Sequence, residues 1–152
     1  MSASPALVST SHLSVEALLG CNSISQTGPR SALDWVALIR KGISSSAVDS
    51  LTMAIHITQS ELALALGIPI RTLARRKKEG TLSSEESTKL IRLARVVERA
   101  EEVFENLDIA THWLKSPNTA LAGVTPLSLL DTDIGADSVL DTLGRIEHGV
   151  FA

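Results

Sequence analysis

Thr58-Gln59-Ser60-Glu61-Leu62-Ala63-Leu64-Ala65-Leu66-Gly67-Ile68-Pro69-Ile70-Arg71-Thr72-Leu73-Ala74-Arg75-Arg76-Lys77-Lys78 reads as two short helices joined by a tight turn, the second crowded with cations. Ala63 falls where the helices must approach closely, Gly67 where the chain must turn with positive φ, and Ile68 and Leu73 where the second helix faces the first. This is the pattern of a helix-turn-helix, and it implies contact with DNA. Arg71, Thr72, Arg75, Arg76 and Lys78 fall on the expected outer side of the second helix, and Gln59 opens the first. Arginines so placed reach guanine edges or phosphates. A single helix-turn-helix holds a half-site poorly, so a homodimer on an inverted repeat is expected. A merely solvated basic face is the competing reading.

Composition narrows the fold class. The chain has 152 residues, no tyrosine, two phenylalanines and two tryptophans, so Leu, Ala, Ile and Val must fill the interior. That favours an all-α fold of helix packed on helix over a sheet. No apolar run reaches the roughly 18 residues of a membrane span, and early positive charge is lacking, so neither a membrane nor a secretory signal is expected. The single cysteine, Cys21, excludes an internal disulfide, and with four scattered histidines it forms no metal-ligand cluster. A cytoplasmic location, no cofactor and no metal are the corresponding expectations.

The net charge of −3 conceals an asymmetry. Counting Lys and Arg against Asp and Glu, residues 1–39 carry 1 − 2 = −1, residues 40–99 carry 11 − 6 = +5, and residues 100–152 carry 2 − 9 = −7. A basic block attracts a polyanion and an acidic block is repelled by one, so the two parts should meet different partners.

Along the chain, residues 1–28 read as a flexible arm rich in Ser and Thr, with at most a short turn over Val15 to Leu19. Residues 29–80 form the helix-turn-helix domain. Its first helix starts after Ser31, with Leu33, Val36, Ala37 and Arg40 as its inner side and Gly42 as its stop. Ser44 to Ser46 cap the next, which carries Val48, Leu51, Met53 and Ile55. A long connecting helix spans residues 81–106, capped by Ser83, with Glu85 and Glu86 against its positive end. Leu90, Leu93, Ala94, Val97, Ala100, Val103 and Phe104 give it a continuous apolar stripe, while Arg92, Arg95 and Arg99 are expected outside, paired with Glu98, Glu101 and Glu102. Residues 107–152 are a small helical domain: Ile109 to Leu114, a turn at Ala120 to Gly123, a short helix opened by Pro126, and a last helix over Ala136 to Ile146.

An ordered set of motifs runs through the second half. Leu82-x-x-Glu85-Glu86-Ser87 is followed by Arg92-Leu93-Ala94-Arg95-Val96. Next come Ala110-x-x-Trp113-Leu114-x-x-Pro117-Asn118-x-Ala120-Leu121-x-Gly123-x-Thr125-Pro126-Leu127 and Leu129-Leu130-x-Thr132-x-x-Gly135-Ala136. The series ends with Val139-x-x-x-Leu143-x-Arg145-Ile146-x-His148-Gly149-Val150. From about residue 40 to the C-terminus the chain resembles the antitoxins of RES-Xre toxin-antitoxin systems. The resemblance implies an Xre-like helix-turn-helix, a C-terminal toxin-binding domain, a RES-domain toxin that consumes NAD⁺ as partner, and repression of a shared operon. Thr88-Lys89 departs from the pattern, which has Asp-Arg there.

A toxin pocket that accepts a negatively charged dinucleotide must offer cations, so an acidic domain suits it. Arg145, Glu147, His148, Gly149, Val150, Phe151 and Ala152 are the candidate toxin-binding residues, with Val150 and Phe151 as apolar anchors and Glu147 meeting the cations. No catalytic residue is expected: His148 and Glu147 are helix neighbours pointing apart, without a nucleophile. Gly123-Val124-Thr125-Pro126 reads as a turn rather than a phosphate loop, and Trp113 and Leu114 as core. The alternative function is a stand-alone regulator whose C-terminal domain dimerises or senses a ligand.

Overall fold

The computed structural model describes residues 14–20, 29 and 31–149. Among them lie eight α-helices and two 3-10 turns, with no strand beyond a single bridge between Ser44 and Thr81. The architecture is all-α, as the composition predicts. α1 spans Val15–Leu18, α2 Ala32–Lys41, α3 Ser46–Ile55, α4 Gln59–Leu66, α5 Ile70–Glu79, α6 Ser84–Phe104, α7 Leu107–Lys115 and α8 Asp133–Glu147; the 3-10 turns are Thr119–Leu121 and Pro126–Leu129.

Local chemistry sets the boundaries. The Thr58 hydroxyl accepts from the Glu61 N–H at 3.1 Å while the Glu61 carboxylate takes the Thr58 N–H at 3.2 Å, a reciprocal cap that starts α4. Ser83 and Glu86 start α6 in the same way, at 3.1 and 2.7 Å. Between α4 and α5, Gly67 takes φ 66°, ψ 32°, and the next N–H, of Ile68, returns to the Ala63 carbonyl at 3.0 Å. A side chain at Gly67 would be strained by that φ and would also press on Asp131, whose Cβ lies 3.3 Å from where a new Cβ would stand. The helix-turn-helix turn therefore sits against the loop that leads into α8.

α6 is the spine. Leu90, Leu93, Ala94, Val97 and Ala100 are fully buried, and α1, α2, α4, α7 and α8 all pack on it. On the side of the last third, Leu114, Leu130, Ala136, Val139 and Leu143 complete the core, and Trp113 lies against Phe104 with ring centroids 5.7 Å apart. The Thr132 hydroxyl caps α8 by accepting from the Gly135 N–H at 3.0 Å. Gly135 leaves no room for a side chain: a Cβ there would collide with the Leu129 carbonyl oxygen and stand 2.8 Å from its carbon.

The structure departs from expectation in four places. Val15, Leu18 and Leu19 are core residues, and the Val15 N–H donates to the Glu98 carboxylate at 2.8 Å, so this part of the expected arm is docked on α6. The rest of that arm, apart from its Ser14-to-Gly20 stretch, lies outside the described residues. In α2 the inner side is Trp35, Leu38 and Ile39, whereas Leu33 is 78% exposed and Val36 faces out. Both faces have helical spacing, and the one carrying the indole has more apolar area to bury. Met53 is exposed because two residues from Leu51 is the wrong side of a helix; Ala47, Val48, Leu51 and Ile55 form the buried face. Lastly, α6 ends at Phe104, with Glu105 in the left-handed region, and Leu107 rather than Ile109 begins α7 under an Asn106 cap.

Candidate functional site

The basic helix α5 has Leu73 fully buried, which turns the remaining side chains outward. They are not equivalent. Among the described residues Arg71 and Lys78 are exposed and make no ion pair, Thr72 is half-buried, and Arg75 is exposed but 3.5 Å from Glu79. Arg76 is different. Its Nε donates to Glu86 at 2.8 Å and its Nη1 to Glu79 at 2.9 Å, so the guanidinium ties α5 to the capping box that starts α6. Lys77 reaches Asp49 on α3 at 2.9 Å. Gln59 is half-buried at the head of α4, with its amide nitrogen buried and without a hydrogen-bond partner among the described residues.

Electrostatics agree with this division. The hydrogen bonds from Arg76 to Glu79 and Glu86 raise its pKa further, so it is a permanent cation tied to its neighbours in the fold. Burial pushes the Glu86 carboxyl up, but the bonds from Ser83 and Arg76 outweigh it, and the group lies below the ordinary carboxylate range.

At the other end of α6 two arginines hold the last third. The Arg92 guanidinium donates to the Leu130 carbonyl at 3.1 Å and pairs with Asp133 in the first turn of α8. Arg99 makes a two-pronged contact with Glu147 in the last turn of α8, both N···O distances being 2.8 Å, and a weaker one with Glu102 at 3.3 Å. Hydrogen bonding to Arg99 holds the Glu147 carboxyl below its ordinary range and raises the Arg99 pKa in return. Of the outer ion pairs expected along α6, Arg99 with Glu102 is present; Glu98 instead receives Val15, and Lys89 pairs with Glu85 at 3.8 Å. Helical spacing places Arg92 and Arg99 on a surface and carries no trace of their partners 38 to 48 residues away.

Beyond Glu147, His148 closes α8 and donates its N–H to the Gly144 carbonyl at 3.1 Å; Arg145, His148 and Gly149 are exposed. The expected anchors Val150 and Phe151, with Ala152, lie outside the described residues. Glu105, Asp108, Asp131, Asp137 and Asp141 are exposed acids that make no ion pair among the described residues, giving the last third an open negative surface. Among the described residues no group of His, Cys, Asp and Glu is placed to hold a metal, and no helix is long and apolar enough to cross a membrane.

Two family models match in tandem. Residues 34–95 match the antitoxin Xre-like helix-turn-helix domain, and residues 99–149 match the antitoxin Xre/MbcA/ParS C-terminal toxin-binding domain. An antitoxin Xre of Yersinia enterocolitica is 38% identical over 116 residues, 75% of this chain and 78% of that protein. The chain belongs to the Xre antitoxin family. An antitoxin of a toxin-antitoxin system with an N-terminal helix-turn-helix is therefore what the resemblance in the sequence had pointed to. A Sphingobium protein named Prs ADP-ribosylating antitoxin is 30% identical over 132 residues, 80% of this chain and 83% of its own length. A chain in the crystal structure of the M. tuberculosis MbcT-MbcA toxin-antitoxin complex shares the fold of this Xre-family chain with a TM-score of 0.55 and 27% identity, covering 71% of this chain and 96% of that one.

Proposed function

We propose that this Xre-family antitoxin neutralises a RES-domain toxin that consumes NAD⁺ by covering the toxin's active site with the end of α8 and the tail, and that it represses the shared operon by binding promoter DNA as a homodimer in the cytoplasm. The observation that carries the reading is the division of the molecule along α6: an outward cationic helix on one side, and on the other a negatively charged domain from which the chain end departs. A site that binds a dinucleotide diphosphate must be cationic, which suits the exposed acids of the last third. The name of the Sphingobium relative points the same way, since ADP-ribosylation draws its ADP-ribose from NAD⁺. On the DNA side Arg71, Thr72, Arg75 and Lys78 are the contacts, with Gln59 at the head of α4; Arg76 is assigned to the fold.

Co-expression with the neighbouring toxin gene, followed by an NAD⁺ assay, tests the first half. The full chain preserves NAD⁺, and deletion of His148 to Ala152 abolishes that protection while the far-ultraviolet spectrum stays helical. NAD⁺ loss in the presence of the full chain overturns the antitoxin-to-NAD⁺ assignment; a protective truncated chain removes the tail as inhibitor. A gel shift on the operon's own promoter tests the second half, and no shift at low salt would leave a toxin-binding protein without repressor activity.

A further inference from the structure

We infer that Ile70 reads thymine: at the head of α5 its side chain meets the 5-methyl group of a thymine in the major groove and sets a sequence preference beside the arginines. The inference rests on the DNA-binding reading above. α5 buries only Leu73, yet the side it presents is not uniformly polar. Ile70, its first residue, is 46% exposed, and Ala74, one turn later, is exposed as well. Arg71 and Arg75 run alongside them at the same spacing. An apolar strip thus lies against a cationic one.

An exposed isoleucine alone says little, because single apolar side chains are common on surfaces; its place decides. In a helix-turn-helix the first residues of the second helix face base edges. In the major groove thymine presents a methyl group, which apolar side chains contact, while the other edges present hydrogen-bonding groups. Isoleucine has neither donor nor acceptor in its side chain, so the methyl is the edge that rewards it. The approach also suits a polyanion. Every other α-helix among the described residues carries an acid in its first turn, whereas α5 has none, and no side chain caps it. The first turn of α5 therefore sets no negative charge of its own against the phosphates that flank the groove.

The test measures binding of the full-length protein, at fixed salt, to the promoter fragment of its own operon made once with thymine and once with deoxyuridine in its place, which deletes the methyl groups and keeps the base pairing. Wild type should bind the uracil fragment about fourfold more weakly for each half-site occupied, the scale of one methyl group returned to water. Ile70→Ala should lose about as much on the thymine fragment and nothing further when the methyls are removed. Ile70→Val should keep the sensitivity, and Arg71→Ala, weaker throughout, should still distinguish the two fragments. Each ratio compares two fragments with one protein, so any effect of a substitution on folding cancels. The salt dependence of Ile70→Ala stays that of wild type, which separates a methyl contact from a phosphate contact. A wild-type protein indifferent to the methyls, or an Ile70→Ala variant whose sensitivity to them is not reduced, overturns the assignment. Absence of wild-type binding to either fragment at low salt overturns the DNA-binding reading beneath it instead.

Discussion

The two halves of the molecule are built on the same helix but use their charges in opposite ways. In the basic half, Arg76 and Lys77 are turned back onto Glu86 and Asp49, so part of the cationic content of α5 holds α5 in place. In the acidic half, Asp133 and Glu147 are held by arginines from α6, and Glu105, Asp108, Asp131, Asp137 and Asp141 remain open to solvent. A charge run in a sequence thus overstates the charge available to a partner in both halves, and more so in α5 than in the last third.

The contrast presumes that the halves share one fold, and the largest expected effect tests that presumption. Gly135→Ala forces a methyl group into the Leu129 carbonyl and should destabilise the protein by about 3 kcal/mol or more, the scale of overpacking against backbone. Because α8 packs on α6 and the Asp131 loop touches the helix-turn-helix turn at Gly67, the loss should appear as one cooperative transition moved to lower urea concentration. Two separate transitions, with the helix-turn-helix half unmoved, would break the picture of a common spine.

The next effect separates recognition from support within α5. Arg71→Ala and Lys78→Ala should each weaken operator binding and flatten its salt dependence by about one unit, the signature of a lost phosphate contact. Arg76→Ala should leave that slope unchanged and lower the thermal midpoint instead, since its partners are Glu79 and Glu86 rather than solvent. Gel shifts across a salt series, beside a melting curve, decide. A flattened slope for Arg76→Ala would restore it to the DNA-contacting set.

Where the sequence could be read and where it could not follows from the distance over which each feature is determined. The helix-turn-helix was legible because Ala63, Gly67, Ile68 and Leu73 answer to constraints within a dozen residues, and the apolar stripe of α6 because period alone specifies it. The caps at Thr58, Ser83 and Thr132 are local too. What stayed hidden depends on remote partners. Arg92 and Arg99 have correct spacing for outer pairs along α6, and nothing in that spacing announces Leu130, Asp133 or Glu147. Arg76 looks like its neighbours until the fold brings Glu86 beside it. For α2 two faces were admissible, and only the surrounding core selects Trp35, Leu38 and Ile39 over Leu33 and Val36. The Val15–Leu19 stretch reads as a short turn within a flexible arm because its flanks are polar, yet three apolar side chains and a hydrogen bond to Glu98 are enough to dock it.

The smallest effect is an acid response shared by both halves, and it tests whether their charge pairs support the fold equally. Glu86 and Glu147 both have pKa values lowered in the folded state, Glu86 because bonds from Ser83 and Arg76 overcome burial, Glu147 because of Arg99. A depressed folded pKa means the unfolded chain binds the proton more readily, so each pair's support is present above the unfolded value of about 4.3 and is lost as pH falls through the folded one. Urea midpoints measured from neutral pH down through this range should therefore decline. Glu86→Gln should remove part of the decline and lower the neutral-pH midpoint, because the part-buried Arg76 contact and the α6 cap go with it. Glu147→Gln should change the midpoint less, its pair being half open to solvent and screened by salt. If Glu147→Gln costs as much stability as Glu86→Gln, the Arg99 pair belongs to the fold in the same sense as the Arg76 pair. The two halves would then differ in their partners but not in how their charges are used.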